Sequence, residues 1–104
     1  MHKMSQLSSQ TYKVEHNCKL SEFSIQLNNN KAYVSYTLDK NKNNITINHT
    51  EVPQFFQGQG VGKQLAEAVI HYAIQEKFDL TIICSFAKKY YQENESRFKN
   101  HISD

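Results

Sequence analysis

A chain of 104 residues has room for one modest core, burying about two thirds of the unfolded surface, and little room for an insert. Its formal charge of +2 and pI near 8.5 are far from the concentrated basic surface that nucleic-acid binding requires. No apolar run approaches a membrane span, and the start Met1-His2-Lys3-Met4-Ser5-Gln6 lacks the apolar stretch of a signal peptide, so a cytoplasmic protein without a membrane or nucleic-acid partner is expected.

Residues 1–11 are polar and aperiodic and are expected to be disordered, which leaves 12–104 as a single domain. Tyr12, Val14 and His16 alternate, enough for a short edge strand. Phe23, Ile25 and Leu27 alternate with polar neighbours up to Asn28-Asn29-Asn30, the pattern of a strand and its turn. Residues 32–38 form a second strand, ended by Asp39-Lys40-Asn41. A third, β-branched and alternating, covers residues 45–52 and stops at Pro53. Three strands joined by short polar turns predict an antiparallel meander.

All three glycines of the chain fall in Gly58-Gln59-Gly60-Val61-Gly62. Beyond them Val61, Leu65, Ala68, Val69, Tyr72 and Ala73 recur at spacings of three and four, which predicts a helix over residues 60–76. A strand, a glycine loop and a helix leave free N–H groups at a helix start, where the dipole also favours negative charge, so a phosphate-type ligand fits. The other turns are made with Asn, so flexibility alone accounts poorly for the glycines. A Walker loop needs four residues between its first Gly and Gly-Lys, then Ser or Thr. Here three separate Gly58 from Gly62, and Gln64 follows Lys63. A dinucleotide fingerprint needs its third Gly where Lys63 stands.

Leu80-Thr81-Ile82-Ile83-Cys84 is a short apolar run typical of a strand covered on both faces, and its helical link to the third strand predicts a parallel pair. Ser85 can cap a second helix over residues 86–94. The tail has Phe98 and Ile102 at helical spacing but too little else to assign. The fold class is α+β (mixed α/β), a meander followed by a β-α-β unit and a C-terminal helix.

This topology gathers the end of the third strand, the glycine loop and the end of the next strand at one sheet edge, where ligands of parallel α/β units bind. Ile45, Ile47, His49 and Glu51 are expected to share a face that passes from core into site. Cys84 ends its strand just before a helix start, with Lys88 one turn on, a setting that favours the nucleophilic thiolate. Each has a plainer reading: a Cys ending an apolar strand is commonly inert packing, and His49 and Glu51 can simply face water. Cys18 and Cys84 have no paired spacing, so both read as free thiols. The five His include no pair at ligand spacing on one element, so no metal is expected.

Gln57-Gly58-Gln59-Gly60-Val61-Gly62 resembles the Gln/Arg-x-x-Gly-x-Gly/Ala signature of the GNAT superfamily of N-acetyltransferases, whose loop amides bind the pyrophosphate of acetyl-coenzyme A. With His49-Thr50-Glu51-Val52-Pro53 before it and Cys84-Ser85-Phe86 after the next strand, the chain is similar to the small, single-domain, cysteine-containing branch over residues 23–95. The resemblance implies a GNAT-like fold and acetyl-CoA (or CoA) as cosubstrate, with Val52 bonding the pantetheine arm. Gln57, Gly58, Gly60, Val61, Gly62 and Lys63 would cradle the pyrophosphate. It further implies that Cys84 lies beside the thioester, where it could accept the acetyl group, and that Glu51 or His49 acts as base toward an amine acceptor, small molecule or protein. Tyr91, or alternatively Tyr90, would reprotonate the departing thiolate. Ser85 departs from the Pro common in the branch, and two early helices of the superfamily have no room here, which leaves the acceptor unread. The rival reading is a CoA-binding module that senses or recruits a partner without turnover.

Overall fold

Five strands form, alternating polar and apolar in all but the first, which is Glu-His-Asn: β1 (Glu15–Asn17), β2 (Glu22–Leu27), β3 (Asn30–Asp39), β4 (Asn44–Glu51) and β5 (Asp79–Ile82). The computed structural model of the protein describes residues 11–102 and joins these strands in one sheet, in the order β1-β2-β3-β4-β5. The first four are antiparallel neighbours, and β4 and β5 run parallel. Helices α1 (Val61–Gln75), α2 (Ser85–Glu93) and α3 (Glu95–Ile102) complete a mixed fold of the expected class.

The asparagines work as turn residues. Asn28 and Asn29, between β2 and β3, both have positive φ (51° and 65°), the requirement of a two-residue hairpin, and Asn43 enters β4 at φ 52°. Helix α1 turns Val61, Leu65, Ala66, Val69, Ile70 and Ala73 into one core with Ile25, Val34, Tyr36, Ile45 and Ile47 of the sheet. The buried stripe is rotated from the expected one: Ala66 and Ile70 are fully buried, while Ala68 and Tyr72 lie at its margin. Lys77 ends α1 in the left-handed conformation (φ 62°). Its N–H bonds Ile74 O at 3.1 Å and that of Phe78 bonds Ala73 O at 2.9 Å, closing the last carbonyls.

Four local expectations change. β1 begins at Glu15, so Tyr12 and Val14 precede the strand. β5 is an edge strand with exposed and half-buried residues alternating, because it is last in the sheet and has β4 on one side only; Ile83 is 67% exposed. Ser85 is the first residue of α2 and Cys84 occupies the cap, without a side-chain capping bond. The unassigned tail forms α3, anchored by Phe98, which is fully buried and stacks on Tyr91 (centroids 5.6 Å apart, planes 7° apart). The expectation of N-terminal disorder lies, except at Thr11, outside the described residues.

Candidate active site

Two irregularities open the sheet. Pairing of β4 with β5 runs from Asn44 with Asp79 to Ile47 with Ile82. There the N–H groups of Ile83 and Cys84 both point at Ile47 O (2.9 and 3.2 Å), so one carbonyl takes two donors and the strands part. On the other side of β4, Tyr36 pairs with Ile47 but Ser35 pairs with His49, which makes Asn48 an extra residue. This bulge reverses the alternation. Ile45 and Ile47 are buried beneath α1, and the residue that next turns to that side is Thr50, opposite the fully buried Val34. His49 and Glu51 point the other way, correcting the expectation that they share a face with Ile45 and Ile47.

The glycine loop follows a short 3-10 turn at Gln54–Phe56. Gly58 and Gly60 have φ of 78° and 73°, and an added Cβ meets no atom within 4 Å at either, so backbone conformation and not space requires glycine there. Gly62 differs: it has ordinary helical φ, and a Cβ there would stand 2.9 Å from the ring tip of exposed Phe86, which would have to shift. The first bond of the α1 ladder is Gln64 N–H to Gly60 O at 3.1 Å, so Val61, Gly62 and Lys63 have N–H groups without an intrahelical acceptor. Among the described residues no side chain caps this end, and no acidic residue occupies its first turn. Exposed Lys63 adds positive charge to a helix start already suited to an anion.

These residues face a cleft of about 390 Å³. All seven positions expected to contact the coenzyme, from Val52 to Lys63, line it, joined by Thr50, Phe56 and Phe86. Val52 O currently accepts Gln57 Nε2 at 3.2 Å. Thr50 Oγ1 lies 3.2 Å from Cys84 Sγ, so half-buried Cys84 adjoins the cleft through this hydroxyl while not lining it directly. Thr50 belongs to the His49–Pro53 motif of the resemblance, but the sequence assigns it no role. Its orientation depends on the bulge, and Asn48 carries no local signal of one.

The remaining predicted residues lie elsewhere. His49 Nε2 is 3.1 Å from Glu51 Oε1 and its ring meets Tyr33 edge-on, on the solvent side of the sheet. Neither tyrosine of α2 lines this cleft. Tyr91 stacks on Phe98, and the Tyr90 hydroxyl donates to Glu67 while accepting Arg97 Nη2 at 3.2 Å. Burial, and then the bond to Glu67, raises the Tyr90 pKa. Glu67 also receives both Arg97 nitrogens (2.8 and 3.0 Å) and lies 2.6 Å from His71 Nε2. Chiefly through Arg97, its carboxyl is lowered to about 2. This cluster ties α1 to α2 and α3 and is a structural knot beside the cleft.

A meander, a β-α-β unit with splayed parallel strands and an uncapped helix start between them define the GNAT type of mixed fold. The chain belongs to the family described as GCN5-related N-acetyl-transferase, which matches residues 22–101. It is similar to Protein NATD1 of Xenopus tropicalis, with 34% identity over 88 residues, covering 83% of this chain and 80% of that protein. Protein NATD1 of Danio rerio is 33% identical over 84 residues (79% and 76%), and that of Mus musculus 32% over 84 residues (79% and 76%). Membership supports an acetyltransferase-type function, and the family generally uses acetyl-CoA. Among the described residues no helix is long and apolar enough to cross a membrane.

Proposed function

We propose that the protein transfers an acetyl group from acetyl-CoA to an amine, with Cys84 as the transient acceptor. The observation that carries this reading is a cleft lined both by the uncapped helix start and by Thr50, whose hydroxyl meets Cys84. The amides of Val61, Gly62 and Lys63 would bind the pyrophosphate, and Val52 O would be released by Gln57 to bond the pantetheine arm.

In the first step the Cys84 sulfur, as thiolate, attacks the acetyl carbonyl. An S–C bond forms, the thioester bond to CoA breaks, and CoA leaves as thiolate and takes a proton from solvent. The amine then attacks the acetyl-cysteine: the N–C bond forms, the S–C bond breaks and Cys84 regains its sulfur lone pair. The amine's proton passes by way of water to His49 or Glu51, which stand on the solvent side of the same strand end. Thr50 can donate to the sulfur in its anionic form or accept from it in its neutral form, so it serves both steps. Tyr91 is not needed as acid in this scheme, consistent with its place against Phe98.

Intact-mass analysis after incubation with acetyl-CoA tests the reading. One added acetyl group, absent in Cys84→Ser, is the expected result. Acetylated amines without an acetyl-protein would replace the relay by direct transfer. Calorimetric CoA binding with neither product would establish the binding module instead, and no CoA binding at all would overturn the site.

A further inference from the structure

Tyr12 stands just before β1, yet it makes three separate contacts with the segment that forms the cleft. Its backbone N–H donates to Gln64 Oε1 at 2.9 Å, in the first turn of α1. Its hydroxyl donates to Gln59 Oε1, on the residue between Gly58 and Gly60. Its ring meets that of Phe56 edge-on, with centroids 6.1 Å apart, and Phe56 is fully buried beneath the loop. Gln59 does not line the cleft. Its Nε2 donates to Phe55 O at 3.1 Å, so one side-chain amide links Tyr12 to the turn that precedes the glycines.

We propose that Tyr12 is a positioning residue for the anion-binding loop, holding Gln59 and Gln64 from behind so that the amides at 61–63 are aimed before a ligand arrives. The inference rests on the coenzyme reading of the cleft. Glycine loses more backbone freedom on ordering than any other residue, and a glycine loop already ordered does not lose it again on binding. Brace and ligand therefore act on opposite sides of the same four residues, Gln57 to Gly60, and on the first turn of α1.

The test uses Tyr12→Phe, which keeps the ring and the N–H and removes the hydroxyl. Losing one neutral hydrogen bond should weaken CoA binding about fivefold in calorimetry, with the thermal midpoint near that of wild type. In a Gln59→Leu background the same substitution should cause no further loss, since its route is already cut. In the ligand-free protein, NMR backbone order parameters of residues 57–60 should fall from about 0.85 toward 0.6. Unchanged order parameters would overturn the brace whatever the ligand, and equal losses with and without the Gln59 side chain would overturn its route. A wild-type protein that binds no CoA, with a loop loosened in Tyr12→Phe, would overturn the coenzyme reading alone and support the brace.

Discussion

Replacing Glu67 by Gln keeps its size and removes the charge that joins three helices. Glu67 accepts from Arg97 twice, at 2.8 and 3.0 Å, and from the Tyr90 hydroxyl, and these bonds hold its carboxyl at about 2 where an ordinary one has 4.5. At one pKa unit per 1.36 kcal/mol that difference corresponds to about 3 kcal/mol at neutral pH. The Glu67 side chain is 29% exposed and that of Arg97 46%, so solvent screening reduces the expected loss to about 1–2 kcal/mol. For a domain of this size such a loss lowers the thermal midpoint by roughly 5–10 °C. Because the folded-state value is depressed, the contribution is fully present above pH 4.5 and disappears as pH falls through about 2. Urea titrations of both proteins at several pH values should therefore show a stability gap that is constant at neutral pH and closes across that window. A gap of the same size at every pH, or none at pH 7, would refute the assignment of the charge to α3 anchoring.

Three further substitutions test other parts of the molecule. Gly60→Val forces a β-branched residue into φ 73° and should weaken CoA binding at least about tenfold in calorimetry; unchanged affinity would remove the loop from the site. Thr50→Val should slow iodoacetamide labelling of Cys84 near neutral pH about fivefold while Thr50→Ser restores it, and equal rates in all three proteins would sever the hydroxyl from the sulfur. Phe98→Ala should cost about 3 kcal/mol in urea denaturation because its ring is fully buried, and a loss under about 1 kcal/mol would show α3 to be peripheral.

The parts of this molecule that follow from local rules were legible in the sequence. Asn28 and Asn29 announced a hairpin, the period of Leu65, Val69 and Ala73 announced α1, and the glycines located a loop in which two positive φ values require them. What was not legible depends on partners distant in sequence. The sidedness of His49, Thr50 and Glu51 is set by a register change against β3 that no residue of β4 spells out. α3 has only Phe98 and Ile102 as apolar residues and is held by Tyr91 of α2 and Glu67 of α1, so its own composition understates it. Tyr12 looked like the start of a strand, but its contacts lie about 50 positions away, with |i−j| of 47 and 52.

The extra residue at Asn48 frees the two halves of β4 from one another. Ile45 and Ile47 answer to the packing of α1, whereas changes at His49 or Glu51 meet water and leave that packing alone. Substitutions there can thus reshape the outer surface of the strand end without remaking the interior. Deleting Asn48 would make the ladder regular and leave both sets where they are, since Ser35 would still pair with His49 and Val34 with Thr50; pairing Asn48 itself with Ser35 is what would drive the imidazole and the carboxylate inward.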